Sequence, residues 1–377
     1  APDRPHHVGR VVTPSLRESL ATLGPLCGWP LVSIVLAVRN EARHIQRALD
    51  SVSAQDWPYG RLEILVVDGG STDGTIAIVD RFVARDPRVR RLANPAGHVA
   101  AGLNAGLAAA RGDVVVRVDG HCRVPANYVR AGVEALRAGL AECAGGPVRT
   151  LGEGFVGRAI ALAMSTPFGV GGARFRWARE AGEVDHVPFG VWRREVFERL
   201  GGFDPALVRN QDDEFSDRLR RAGGRIRLLP GAAVDYWCRS SLPALARQYF
   251  GYGFWKVRVI RRRGGWPSSP RHLAPAALLL ALVLGSALAL GTGRIVFALA
   301  APGLEASFLA VATLVTLARK RDASALLLPA AIATMHLAYG AGFLLACRPG
   351  AGRAVAGAPL AIGAASAAPV HADSRAA

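Results

Sequence analysis

Residues 273–293 run for 21 positions without one charged side chain, and no other stretch limits the fold so sharply. At about 1.5 Å of rise per residue, a helix of that length crosses a hydrocarbon core of roughly 30 Å. The chain is therefore expected to be held at a bilayer. Residues 295–318 form a second candidate span, interrupted only by Pro302-Gly303 and Glu305, and residues 324–347 form a third. Arg258, Arg261 to Arg263 and Arg271 precede the first span, and Arg319-Lys320-Arg321 separates the second from the third. The positive-inside rule puts both clusters in the cytoplasm. Three spans then leave the C-terminus outside, and residues 348–377, rich in Ala, Gly, Ser and Pro, read as a disordered tail.

Ahead of these helices lies enough chain to bury a large core, since 51% of the 377 residues are hydrophobic. The formal charge of +17 is nearly all arginine, as Lys256 and Lys320 are the only lysines. A basic surface suits anionic lipid headgroups or phosphorylated substrates. Nucleic acid is not an expected partner, because the arginines are scattered and no zinc-finger, homeodomain or RNP pattern accompanies them. Cys27, Cys122, Cys143, Cys238 and Cys347 are odd in number and form no CxxC or CxxH pair, so a disulfide framework or structural zinc is not expected. Residues 1–30 carry charges throughout and read as a tail or surface helix, with no secretory signal.

From residue 31 to about 265, short β-branched runs alternate with helical patterns, the signature of βαβ units around a mostly parallel sheet. Strands are predicted at 31–38, at 63–67 ending on Asp68, at 89–92, and at 113–118 ending on Asp119; helices are predicted at 42–52 and 99–110. In such a sheet, ligands bind outside the carboxyl ends of the strands, where Asp68 and Asp119 fall.

Three clusters carry possible chemistry. Asp68, followed by Gly69-Gly70-Ser71-Thr72-Asp73-Gly74, offers a carboxylate and free backbone N–H groups, which suits a base or ribose; an ordinary turn with a helix cap is the plainer reading. The spacing is not the GxGxxG of a dinucleotide fold. Asp119-Gly120-His121 places two metal-capable groups one residue apart at a strand end, as either a surface turn or a site for one divalent ion, Mn²⁺ or Mg²⁺. Asp212-Asp213-Glu214, after Gln211, opens a helical pattern at 215–222. Acidic residues at a helix start favour the macrodipole, and their crowding also suits a carboxylate that must collect a proton.

In this order the segments resemble family 2 glycosyltransferases of the GT-A fold. The likeness covers about residues 31–260. It runs from Ser33-Ile34-Val35 and Arg39-Asn40-Glu41 through Val66-Val67-Asp68, Asn104-Ala105-Gly106 and Asp119-Gly120-His121. It continues through Pro188-Phe189-Gly190, Gly201-Gly202-Phe203-Asp204 and the Gln211 cluster with Arg218. The resemblance implies an α/β nucleotide-sugar-binding domain over 31–265, followed by a membrane domain of about three helices over 273–347. It implies that Ala37, Arg39, Glu41, Asp68, Asn104 and Asp119 hold the nucleotide-sugar, and that Asp119 and His121 hold a divalent metal with the diphosphate. The family's second metal residue is usually Asp, so His121 is a departure. Asp212 becomes the candidate base, with Asp213 as its alternative. Gly190, Gln248, Tyr252 and Lys256 fall on the acceptor side. The family's Gln-x-x-Arg-Trp motif of processive synthases is not intact here, which implies non-processive transfer.

His336 to Phe343 in the last span, with Asp119-Gly120-His121 and the Gln211 cluster, is similar to the succinoglycan-type exopolysaccharide glucosyltransferases. That implies inverting transfer of a hexose, glucose from a UDP donor, to a polyprenyl-diphosphate-linked saccharide on the cytoplasmic face of a bacterial inner membrane. Other polysaccharide-assembly proteins are further implied partners. Transfer to polyprenyl phosphate itself, as in dolichol-phosphate-mannose-type synthases, and an inactive nucleotide-binding scaffold are the competing readings. A histidine inside a span is costly unless partnered, so His336 either packs on a neighbouring helix or meets the lipid diphosphate.

Overall fold

In the computed structural model, which describes residues 26, 28–264 and 269–349, the β-branched runs become strands, buried on both faces within the sheet and partly exposed at its edge, over residues 89–93. The first four are β1 (Val32–Val38), β2 (Leu62–Asp68), β3 (Val89–Ala93) and β4 (Val114–Arg117). They alternate with α1 (Ile45–Ser53), α2 (Thr75–Arg85) and α3 (Val99–Ala109). All seven residues of β2 are buried, as a strand covered by helices on both faces requires. The strands predicted from sequence therefore stand where expected. The expected features of residues 1–25 and of the tail after 349 lie outside the described residues.

The sheet is mixed, not mostly parallel throughout. Its eight strands run in the order β3-β2-β1-β4-β9-β6-β10-β8, completed by β6 (Cys143–Gly145), β8 (Gly182–Glu183), β9 (Val191–Arg193) and β10 (Ile226–Leu228). The half β3-β2-β1-β4 is parallel. β9 then enters antiparallel between β4 and β6, and β8 closes the far edge antiparallel to β10. The correction has a local cause. β9 is a three-residue strand leading straight into a helix, too short to show a period or a direction in the sequence. Its reversed direction brings Pro188-Phe189-Gly190 to the edge where β1, β2 and β4 end. Because β1 has β2 on one side and β4 on the other, a crevice opens at that edge.

A smaller sheet, β5 (Cys122–Arg123), β11 (Val234–Trp237) and β7 (Val148–Leu151), flanks the crevice. It begins one residue after His121, whose carbonyl accepts the N–H of Trp237 at 3.2 Å. The remaining helices of the α/β region are α4 (Tyr128–Arg137), α5 (Gly154–Met164), α6 (Pro167–Val170), α7 (Arg194–Leu200), α8 (Gln211–Arg221) and α9 (Leu242–Arg262). Trp192, Phe197, Phe203 and Phe215 pack ring against ring, with Phe197 and Phe215 stacked 4.8 Å apart. This aromatic cluster seats α8 on the sheet and fixes where its first turn points.

Three long apolar helices follow: α10 (Ala274–Thr292), α11 (Val296–Lys320) and α12 (Leu328–Cys347). By length and composition, all three candidate segments are apolar enough to cross a bilayer.

Candidate active site

The ends of β1 and β2 are knitted together by local bonds within the turn after β2 and by others that join that turn to residues 40–42. Asp68 Oδ2 accepts the N–H groups of Gly70 and Ser71 at 3.0 and 3.1 Å, and Asp68 Oδ1 accepts the Ser71 hydroxyl at 2.5 Å. Gly70 has φ +79°, which a side chain would resist. Asn40, also left-handed at φ 55°, accepts Thr72 N–H at 2.8 Å and donates its own N–H to Ser71 Oγ at 2.9 Å. Thr75 and Asp73 tie down the N–H groups of Glu41 and Ala42. Arg39 reaches the carbonyl of Gly97 at 3.3 Å. The result is a rigid lip carrying Ala37, Arg39, Glu41 and Asp68, all expected on the donor side.

A second chain of contacts runs through charged groups far apart in sequence. His121 Nδ1 lies 2.8 Å from Glu41 Oε1, and the His121 ring meets Tyr236 edge-on at 5.0 Å. Burial alone lowers the imidazole pKa; the charge and hydrogen bond of Glu41, with Asp119 adding to them, turn the net shift upward. Burial likewise raises the Glu41 carboxyl, but His121 outweighs it and holds that group below its ordinary value.

Arg117, the last residue of β4, is the hub. Its side chain is 6% exposed and forms ion pairs with Asp119 at 3.0 Å and Asp212 at 3.0 Å. The strand end thus delivers a buried cation between Asp119 and Asp212. Asp212 in turn takes the N–H of Asp213 at 2.9 Å and has His186 Nε2 at 3.8 Å. Burial raises the Asp212 carboxyl, but Arg117 and His186 lower it more. Asp213 is pinned differently, by Lys256 at 2.7 Å and Arg263 at 3.2 Å. Against a raising effect of burial, these two cations hold it far below the usual carboxylate range.

Asn210, the residue before α8, adopts φ 61° and donates its amide to the Tyr252 carbonyl at 3.0 Å. The first turn of α8 is thereby locked to α9. On α9, Gln248, Tyr252 and Lys256 recur every four residues and share one face. Gln248 Nε2 donates to the Tyr252 hydroxyl at 2.8 Å, whereas its buried Oε1 has no hydrogen-bond partner among the described residues. Lys256 is buried against Asp213. Gly190 accepts the Arg117 N–H through its carbonyl at 3.1 Å, and the Trp192 ring leaves no room there for a Cβ.

Asn104 stands apart from the others. It donates to the Phe203 carbonyl at 2.7 Å and accepts the Phe203 N–H at 2.8 Å. Its amide clamps the turn at 201–204, and both of its functions are used there.

Sequence reasoning missed Arg117, His186 and Arg263. Arg117 left a signal, an arginine closing an otherwise apolar strand of valines. His186, whose Nδ1 meets Ser216 Oγ at 2.8 Å, left none, since no spacing ties a loop histidine to α8.

Asp119 and His121 supply two donor groups, but among the described residues no cluster of three His, Cys, Asp or Glu side chains is arranged to hold a metal. Both Asp119 oxygens face Arg117, and one ring nitrogen of His121 is taken by Glu41. The described residues thus bring two metal-capable side chains to this strand end, short of a coordination shell made by the protein alone.

The glycosyl transferase family 2 profile matches residues 33–201. The succinoglycan biosynthesis protein ExoA of Rhizobium meliloti is 30% identical over 312 residues, spanning 82% of this chain and 93% of that protein. A Methanococcus voltae dolichyl N-acetyl-α-D-glucosaminyl phosphate 3-β-D-2,3-diacetamido-2,3-dideoxy-β-D-glucuronosyltransferase is 25% identical, over 61% of this chain and 74% of its own. Among solved structures, the mannosyltransferase PcManGT of Pyrobaculum calidifontis, in complex with GDP-Man and Mn²⁺, superposes with a TM-score of 0.50 at 20% identity. It covers 88% of this chain and 92% of its own. That last likeness concerns the fold alone, a GT-A-like α/β arrangement.

Proposed function

The chain belongs to glycosyl transferase family 2, and from that premise we propose that it transfers a hexose, glucose from a UDP-sugar, to a polyprenyl-diphosphate-linked saccharide at a membrane surface. One observation carries the reading. A single buried guanidinium, Arg117, reaches both Asp119 on the donor side and Asp212 on the base side, so the two carboxylates face one reaction space.

In this proposal the rigid lip of Ala37, Arg39, Glu41 and Asp68 receives the nucleotide, and Asp119 with His121 faces the diphosphate. Asp119 and His121 would hold a divalent metal there, and such a metal would supply charge neutralisation to the leaving diphosphate. Asp212 accepts the acceptor's hydroxyl proton as that oxygen forms a bond to the anomeric carbon, and the bond to the nucleoside diphosphate breaks on the opposite face. One displacement inverts the centre. Asp213, neutralised by Lys256 and Arg263, is the weaker base candidate and serves instead to anchor α8. Gln248 and Tyr252 line the acceptor side. The resemblance to ExoA supports an exopolysaccharide acceptor, and the apolar helices support a membrane-bound one on the cytoplasmic face.

The test incubates the detergent-purified chain with UDP-, GDP- and dTDP-sugars, Mn²⁺ or Mg²⁺, and either a lipid-linked saccharide or plain polyprenyl phosphate. Hexose transfer from a UDP-sugar to the lipid-linked saccharide is expected. Transfer to plain polyprenyl phosphate, or nucleotide binding without any transfer, would replace this reading with the lipid-phosphate synthase or the scaffold.

A further inference from the structure

α12 shares its composition with α10 and α11 but not their surroundings. On α10 only Ala276 is buried, and on α11 only Ala312 and Thr316. Leu284, Leu290, Ile295, Val296 and Leu304 stand 60–88% exposed along those two helices and their connection. That is the surface of a hairpin that must find an apolar solvent. α12, in contrast, is packed against the α/β region over its whole length. Met335 lies against Gly169 of α6. Phe343 and Ala346 join a buried cluster with Phe254, Val257 and Ile260 of α9. Gly253 on α9 lets that helix approach the Tyr339 carbonyl so closely that no Cβ would fit.

Both ends of the segment are tied to charged groups of the α/β region. Asp322, just before α12, lies 4.0 Å from Arg158 on α5. At the other end, the Cys347 carbonyl accepts from Arg261 on α9 at 3.1 Å. A helix of 20 residues spans about 30 Å, so a crossing α12 would hold these two contacts on opposite faces of the membrane. It would also pull α9, with Lys256, Arg258, Arg261 and Arg262, into the hydrocarbon, where each such cation costs about 3 kcal/mol. The pairing of His336 with Glu305 at 3.2 Å fits the same picture. Phe308 lies between His336, at 6.2 Å, and Phe168 of α6, at 5.7 Å.

We propose that the chain crosses the bilayer twice, as the α10–α11 hairpin, and that α12 is not a span but a strap returning along the catalytic region, with both of its ends on that region's side. The surface presented to lipid tails is then that of α10 and the facing part of α11. This topology does not depend on which donor or acceptor is used.

The two topologies differ in one readable way. With two spans, residue 294 between α10 and α11 and Cys347 after them face opposite sides; with three spans they face the same side. Starting from a chain with Cys27, Cys122, Cys143 and Cys238 replaced by Ala, Cys347 and, in a second variant, Arg294→Cys with Cys347→Ala are labelled by a membrane-impermeant maleimide in intact cells and after permeabilisation. The expected result is that exactly one of the two sites reacts in intact cells and both react after permeabilisation. Equal protection or equal labelling in intact cells would overturn the proposal. Should the cysteine replacements unfold the chain, the wild-type sequence with a peptide tag after Ala377 serves instead. In inside-out vesicles, protease should remove the tag together with the catalytic region, and a tag protected while that region is digested would equally overturn it.

Discussion

The donor-side lip and the base-side cluster hold their carboxylates by opposite means. Asp68 is satisfied by N–H and hydroxyl groups two and three residues away, so its geometry is set as soon as the turn after β2 forms. Asp212 and Asp213 are satisfied by Arg117, Lys256 and Arg263, which lie 95, 43 and 50 residues away. Their geometry exists only once β4, α8 and α9 have all docked. The first arrangement is fixed locally by the turn itself. The second makes a charge-balanced cluster in which removing one member changes the ionisation of the others.

Substitutions break this comparison to different degrees. Asp212→Asn should lower turnover by roughly 10³-fold while leaving UDP-sugar binding intact, the magnitude general base catalysis commonly supplies; isothermal titration beside a transfer assay checks both halves. Arg117→Met should follow, with turnover down by about 10-fold to 100-fold and stability down by about 3 kcal/mol, because it leaves two carboxylates without their buried cation. Arg117 lowers the Asp212 carboxyl, so its loss should move the acid limb of the pH–rate profile upward, which a purely structural defect would not do.

Lys256→Met tests the other cation. The Asp213 carboxyl lies below its ordinary value of 3.8, so its stabilising effect is complete above that value and is lost as pH falls through the lowered one. Without Lys256, acid unfolding followed by circular dichroism should begin at higher pH, by roughly half a unit. On the donor lip, Ser71→Ala removes one local hydrogen bond and should raise the donor KM a few-fold at unchanged kcat, about 1 kcal/mol of binding. Asn104→Ala should have the smallest effect on turnover. It frees the Phe203 backbone and should cost about 1–2 kcal/mol of stability in denaturant melts with kcat/KM near wild type.

The same contrast explains what the sequence disclosed. β1, β2 and β4 are apolar runs closed by turn residues, and the hydrogen bonds of the Asp68 turn are local, so these strands and that turn were readable from short-range pattern. The reversal at β9 was not, because three residues carry no period. Lys256 was singled out by its place near the family's Gln-x-x-Arg-Trp motif, yet its partner Asp213 could not be read, since no sequence spacing connects α8 to α9. Asn104 matched a pattern but not a role, as the turn at 201–204 that claims its amide lies 99 residues downstream. For α12, hydropathy matched that of a span, and only its packing against α5, α6 and α9 distinguishes it from α10 and α11.

The central claim is that Asp212, facing Asp119 across Arg117, removes the acceptor's proton in a single displacement. The anomeric configuration of the first product formed from an α-linked UDP-hexose, read by proton NMR coupling constants, tests it most directly. A β-linked product is the expected result; an α-linked product would require a different mechanism and a different role for Asp212.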